Sequence, residues 1–510
     1  MCQGDGHFLP RLISWVRGAW PAATKPSQRL NIWLVTVVQL TCLSLERNKQ
    51  MPRRLKNYLA IILAVLFGLV PSATEATEKF ESPNILFVVA DDLGWSDVGW
   101  HDGLGLTPNL NRLVKEGVEL DQHYVQPVCT PTRAALMSGR YPGRFGPHAL
   151  APSNLRAMPL GTVTMASMLK SMGYATYQSG KWHLGARSEW GPNHSGFDHA
   201  YGTLTGAADP WTHKYRSGVY EDTWHRDGKP LREEGNATEL IAAEALRCIE
   251  EKRSPWFLYV PFHAVHTPVD APDEFKRQYD GVKFHDDPAR QDSRLRMVAM
   301  IAQVDAKIGQ FVDALERTGQ RNHTLIVFTS DNGGIESLKN AYVGDVGDSP
   351  LNSENDPLRG QKNTLYEGGT RVCAFANWPG KLKPQKLTVP MHAVDWMPTI
   401  AALLGYKSRV DLQWDGVNQW PVLTGAATPS LPRTIYIAAK GGHSIRSGEW
   451  KLIVPANGKA QLFHIGNDPY EKSDVVDSMP DIVTDLRNRL AAHQAKDQPH
   501  LPSDLVGLPE

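Results

Sequence analysis

The stretch Asn84-Ile85-Leu86-Phe87-Val88-Val89-Ala90-Asp91-Asp92 decides the fold. An unbroken apolar run of strand length reads as a strand buried on both faces, because a strand with one wet face would alternate. It stops at two carboxylates, which puts them at an edge of a sheet. Beyond it, Thr107-Pro108 opens an amphipathic helix with Leu110, Leu113, Val114 and Val118 on one face. Thr130-Pro131 opens another, which sets Cys129 at a helix N-terminus, where free N–H groups and the macrodipole favour a bound anion. Helices over 163–172 and 239–252 alternate with strands over 174–178 and 256–262, and a long helix over 295–315 precedes a core strand over 324–328. That strand ends at Ser330-Asp331-Asn332-Gly333-Gly334. The alternation predicts an α/β sheet covered by helices on both faces, with its site at the strand C-termini.

From about residue 425 the pattern changes to short strands over 434–439, 443–446, 451–454 and 461–464, then a helix over 481–494. This predicts a main domain over 84–424 and a smaller subdomain over 425–510 with an antiparallel sheet and a packed helix.

Across 510 residues, 54 basic and 54 acidic side chains cancel, so bulk charge points to no nucleic-acid partner and any anion recognition must be local. The N-terminal region reads as two pieces. From Met51 a basic segment, Met-Pro-Arg-Arg-Leu-Lys-Asn, leads into an apolar run over 59–70 and then Ser72, Ala73, Thr74 and Ala76, the layout of a signal peptide over 51–76. Residues 1–50 then read as upstream sequence translated in error; the rival, a membrane anchor over 31–45, is interrupted by Asn31, Thr36, Gln39 and Thr41. The expectation is a secreted or periplasmic protein with no stable membrane anchor. Cys129, Cys248 and Cys373 remain, and a Cys248–Cys373 disulfide is not expected, since Cys248 lies in a helical pattern where a small buried hydrophobe is the commoner role. Sequons at Asn193, Asn236 and Asn322 matter only in a eukaryotic secretory pathway.

Asp91, Asp92, Asp331 and Asn332 form a hard-oxygen set suited to Ca²⁺ or Mg²⁺ rather than Zn²⁺. Singly, each pair has an ordinary reading as a helix cap or a turn. Together with Cys129-Thr130-Pro131-Thr132-Arg133 and Ser179-Gly180-Lys181-Trp182-His183-Leu184-Gly185 they resemble the type I sulfatases. So do His263-Ala-Val-His266-Thr-Pro268, Lys362-Asn-Thr-Leu-Tyr-Glu367-Gly-Gly-Thr-Arg371, the Arg446-Ser-Gly-Glu-Trp450-Lys451 strand and the Asn467-Asp468-Pro-Tyr-Glu471 turn.

The resemblance implies an alkaline-phosphatase-like fold and sulfate-ester hydrolysis. It also implies that Cys129 is converted by a formylglycine-generating enzyme to Cα-formylglycine, whose hydrate has one hydroxyl to attack sulfur and a second to expel sulfate; a serine or thiol would stay sulfated. Asp91, Asp92, Asp331 and Asn332, with position 129, would hold one cation, calcium in preference to magnesium. Lys181 and Lys362 would bind sulfate, His183 would serve regeneration of the nucleophile, His266 would act at the leaving alcohol, and Arg133 would hold the position-129 hydroxyl. His263 reads as a pocket-wall residue, and Arg359 and Arg371 as loop-fixing ion pairs. The Arg446–Lys451 strand and the turn ending at Glu471 read as structural.

For substrate, the segments beginning at Gly191, Trp211 and Asp222 are similar to the arylsulfatase B, N-acetylgalactosamine 4-sulfatase, branch. This implies a sulfated sugar or an aryl sulfate. Trp211, His213 and Trp224 could face that sugar or pack the loop that carries them. Two other functions keep the same fold: a phosphodiesterase or phosphonate hydrolase, and a non-catalytic sulfated-glycan-binding protein in which Cys129 is never oxidised.

Overall fold

A computed structural model describes residues 82–251, 253–336, 352–427 and 433–509. The expectations for residues 1–50 and 51–76 lie outside the described residues. Among them runs a ten-stranded mixed sheet in the order β12 (Gln385–Leu387), β2 (Val118–Leu120), β11 (Ala374–Asn377), β9 (Thr324–Ser330), β1 (Asn84–Ala90), β8 (Trp256–Pro261), β4 (Ala175–Lys181), β5 (His199–Thr203), β6 (Trp224–Arg226), β7 (Lys229–Pro230). The five central strands from β9 to β5 are mutually parallel.

The apolar run of β1 is buried along its whole length because both faces are covered. Leu86 and Val88 pack into one core with helices Ala237–Glu250 and Pro288–Arg317, while Ile85, Phe87 and Val89 pack into a second with helices Cys129–Ser138, Met165–Ser171 and Trp396–Leu403. Parallel pairing sends every central strand's C-terminus to one edge. Ala90 lies opposite Ser330, and Val89 opposite Pro261, so the residues that follow β1, β9 and β8 leave the sheet side by side.

One sequence expectation fails locally. The helix that carries Leu110, Leu113 and Val114 ends at Lys115, and Val118 belongs to β2, paired with Ala376. Gly117 ends the helical register, and the residues beyond it are captured between β11 and β12.

A small sheet of β10 (Arg371–Val372), β3 (His123–Tyr124) and β13 (Met391–His392) bridges toward the C-terminal part. There β14 (Thr434–Ala439), β15 (Gly442–Ser447), β16 (Trp450–Pro455) and β17 (Gln461–His464) form the expected antiparallel meander. Leu486 and Leu490 of helix Pro480–Gln494 pack on one face of it, in a core shared with Ala135, Tyr141 and Val372. Cys129, Cys248 and Cys373 are unpaired. No helix among the described residues is long and apolar enough to cross a membrane.

Candidate active site

Asp91 and Asp92 leave β1 and are fully enclosed, as are Asp331 and Asn332 after β9. Their mutual geometry is set by backbone: the Asp92 N–H donates to Asp331 Oδ1 at 3.3 Å, and Asn332 Nδ2 donates to Asp92 Oδ1 at 2.7 Å. The glycine after Asn332 is a steric requirement. A Cβ on Gly333 would lie 1.8 Å from the carbonyl oxygen of Gly368, and this close approach lets the Gly333 N–H donate to the Gly369 carbonyl at 3.2 Å. The turn that holds two oxygen side chains is thereby locked to the segment that carries Lys362.

Cys129 opens helix Cys129–Ser138 as expected, is buried, and points its Sγ at Asp91 Oδ1 from 3.4 Å. Burial, then the Asp331 and Asp91 charges, push its thiol far above the usual range, so as a cysteine it is no nucleophile. One helical turn on, Arg133 donates through Nε and a terminal nitrogen to Asp331 Oδ2 at 3.0 and 2.8 Å, and to the Lys181 carbonyl at 3.0 Å.

Lys181, the last residue of β4, pairs with Asp91, and Lys362 pairs with both oxygens of Asp92 at 2.6 and 2.8 Å. The His266 Nε2 lies 3.6 Å from Asp92 Oδ2. His183 sits in left-handed backbone, φ 55°, against Gly206, where an added Cβ would meet its ring at 2.3 Å. His263 bonds Thr203 Oγ1 through Nε2 at 2.7 Å. Burial holds His183, His263 and His266 well below the usual imidazole range; Lys181 reinforces this at His183 and His263, and Lys362 at His266, so all three rings are neutral. The structure brings all ten sequence-named residues to one edge. Gly206 carried no such signal, because its role is an approach between segments and not a side-chain chemistry.

The residues present fit a divalent cation. Asp91, Asp92, Cys129 and His266 present ligand atoms within 4.8 Å of one another. Asn332 Oδ1 is buried without a hydrogen-bond partner, a cost that an enclosed carbonyl oxygen ordinarily avoids. Burial and the Asp331 charge push Asp91 up to about 7, whereas at Asp92 burial is outweighed by the charge of Lys362 foremost, which holds it low. Three buried carboxylates facing one space with an orphaned amide oxygen suit a hard cation.

Several other sequence-named residues take structural places. Arg371 bonds Asp121 at 2.9 Å and lies over the Trp95 ring, and Arg359 stacks on Tyr366 and donates to the Glu471 carbonyl at 2.9 Å. Trp224 is buried, with His213 stacked on it at 4.4 Å, so these two pack the loop. Trp211 stands apart from them and is exposed.

Residues 83–406 match the sulfatase family model. The chain is 32% identical to mouse arylsulfatase J over 482 residues, covering 81% of this chain and 76% of that protein. It is 31% identical to human arylsulfatase A over 441 residues, covering 79% of each, and 31% identical to mouse N-acetylgalactosamine-6-sulfatase over 388 residues, covering 71% and 69%. Among solved structures, Ps i-CgsB in complex with k-i-k-neocarrahexaose is similar with a TM-score of 0.73 and 32% identity over 84% of this chain and 96% of that one. The phosphonate monoester hydrolase of Agrobacterium radiobacter, at 20% identity and a TM-score of 0.59, shares the fold alone. The fold is alkaline-phosphatase-like, the chain hydrolyses sulfuric esters, and it belongs to the sulfatase family.

Proposed function

We propose that this sulfatase cleaves a sulfate ester of a sulfated carbohydrate, with N-acetylgalactosamine 4-sulfate as the first candidate, and that Cys129 is the precursor of its nucleophile. The observation that carries the reading is Cys129 at a helix N-terminus, 3.4 Å from Asp91 and ringed by Lys181, Lys362 and Arg133. Burial and the Asp331 and Asp91 charges keep this thiol protonated in the absence of a cation, and the same position suits a side chain installed by a formylglycine-generating enzyme. Once in place, formylglycine would supply a geminal diol, and a calcium ion held by Asp91, Asp92, Asp331 and Asn332 would supply positive charge toward the sulfuryl oxygens.

The chain's own residues do the rest. Lys181 and Lys362 are bound to Asp91 and Asp92 here; with those carboxylates engaged by a cation, both ammonium groups are left to hold the sulfate. Arg133 holds Asp331 and fixes the first turn of the helix against β4. Lys362, cationic and beside Asp92, donates to the leaving alcohol; neutral His266 donates its Nδ1 proton to the Thr267 carbonyl and turns Nε2 toward the same place, where it donates only once protonated. Neutral His183 is a base able to take the proton from the second hydroxyl when sulfate departs. A leader over 51–76 would carry the protein out of the cytoplasm.

The test is intact-peptide mass analysis of residue 129 in protein from its native host, followed by a screen of defined sulfated sugars. Oxidation at 129 with sulfate release from N-acetylgalactosamine 4-sulfate supports the whole reading. An unmodified thiol points to a glycan-binding protein, and preferential cleavage of phosphate esters retires the sulfated substrate.

A further inference from the structure

Trp211 is the one exposed tryptophan among the described residues, 41% accessible where the others are buried or half-buried. A bare indole face is costly in water, and here its orientation is actively held. The Trp211 Nε1 donates to Asp270 Oδ2 at 2.8 Å, and Asp270 Oδ1 is itself clamped by Lys276 and Arg296 at 3.2 Å each. Below the ring, Asp209 Oδ1 accepts the backbone N–H groups of Trp211 and Thr212 at 2.9 and 2.7 Å, and the Pro210 carbonyl accepts from Ala237 at 2.8 Å. Backbone and ring are both fixed before anything binds, which lowers the ordering cost of contact.

Two independent segments tie this ring to the reaction centre. Gly206 touches the His183 ring, and Trp211 lies five residues further, within about 18 Å along even a fully extended chain. Asp270, which holds the indole, lies four residues past His266, within about 14 Å by the same measure. A fixed aromatic face within a few sugar units of the sulfate-binding groups, beside a carboxylate, matches the face of a pyranose with hydroxyls at its rim.

We infer that Trp211 is a stacking platform for a neighbouring sugar, so that the enzyme binds a sulfated oligosaccharide or polymer more tightly than the corresponding sulfated monosaccharide. This rests on the proposed carbohydrate reading and goes further by naming chain length as the determinant and Trp211 as its reader. The residue touches neither the ester nor the cation. It acts on KM for substrates long enough to reach it.

The experiment uses full-length, formylglycine-bearing enzyme and three probes: κ-ι-κ-neocarrahexaose, a chondroitin 4-sulfate tetrasaccharide and 4-nitrophenyl sulfate. Trp211→Ala is expected to raise KM about tenfold on the oligosaccharide that the wild type turns over, with kcat little changed. KM and kcat on 4-nitrophenyl sulfate should stay at wild-type values, and Trp211→Phe should recover most of the loss. Equal loss on the aryl sulfate, or no loss on the oligosaccharide, overturns the inference. Turnover of the aryl ester with neither oligosaccharide cleaved also overturns it while leaving a sulfatase, whereas no turnover of any probe defeats the broader functional reading.

Discussion

At the edge of the large sheet, Asp91, Asp92 and Asp331 are buried against Lys181, Lys362 and Arg133; where the C-terminal meander meets the Gly368-Gly369 turn, Glu367 and Glu471 are buried against Lys451. The first set balances three carboxylates with three cations and the second sets two carboxylates against one lysine; in each, burial leads the shift that carries one carboxyl to about 7: Asp91 in the first, Glu471 in the second. They differ in closure. Glu367 accepts from Lys451 at 2.8 Å and from Tyr124 at 2.7 Å, and Tyr124 in turn accepts from Arg446. Glu471 accepts the Glu367 N–H at 2.7 Å and faces Lys451 at 2.9 Å. Around the first set, Asn332 Oδ1 and the Nδ1 atoms of His183 and His263 are buried with no partner. The second set is not free of such atoms, since Glu471 Oε1 has the Lys451 ion pair at 2.9 Å but no aligned hydrogen bond; the difference is that its leftover acceptor faces a cation, whereas Asn332 Oδ1 faces none.

The largest break in that comparison is Cys129→Ala. It should cut turnover by roughly 10⁴-fold or more, as loss of a nucleophile does, while the melting temperature moves little because one small buried side chain replaces another. Lys451→Met should do the reverse. It strands two buried carboxylates, so denaturant unfolding should show a loss of about 3–5 kcal/mol, while kcat per folded molecule is retained. Calcium should sharpen the contrast: titrated into metal-free protein to about a hundred times its Kd, it should add ~2.7 kcal/mol of stability, and Asn332→Ala should weaken that response far more than Glu471→Gln.

The smallest effect, counted per pH unit, is a slope. Glu471 has its folded pKa raised from 4.5 to about 7, so between those values the native state binds the proton that the unfolded state has lost. Its contribution therefore falls as pH rises through that window, by at most about 1.4 kcal/mol per pH unit. Glu471→Gln should flatten the stability profile there, measured by denaturant melts across pH 4.5 to 7. An unchanged slope would mean that Glu471 does not hold this proton.

Much of the site was legible because its chemistry is local in sequence. A run such as 84–90 buries both faces in a sheet covered on both sides, and where its neighbours are parallel its terminal carboxylates lie at the C-terminal edge. The glycine pair after Asn332 was legible as a turn, but not as the groove that admits Gly368. The helix expected to reach Val118 shows the complementary failure, since apolar spacing alone does not distinguish a helix face from the start of a short strand. Trp211, His213 and Trp224 looked equivalent in sequence. Packing separated them, burying Trp224 under His213 and leaving Trp211 held outward by Asp270.

The sequence by itself determined the strand and helix periods, the oxygen side chains that close β1 and β9, the helix start at Cys129, and hence the family. Only the tertiary structure decided which charges meet: Lys362 with Asp92 across 270 positions, and Lys451 of β16 with Glu367 and Glu471 from two other segments. The physical reason is that periodicity and turn chemistry act over a few residues. Ion pairing and the desolvation that shifts a pKa depend on neighbours that only the closed sheet and its covering helices bring together.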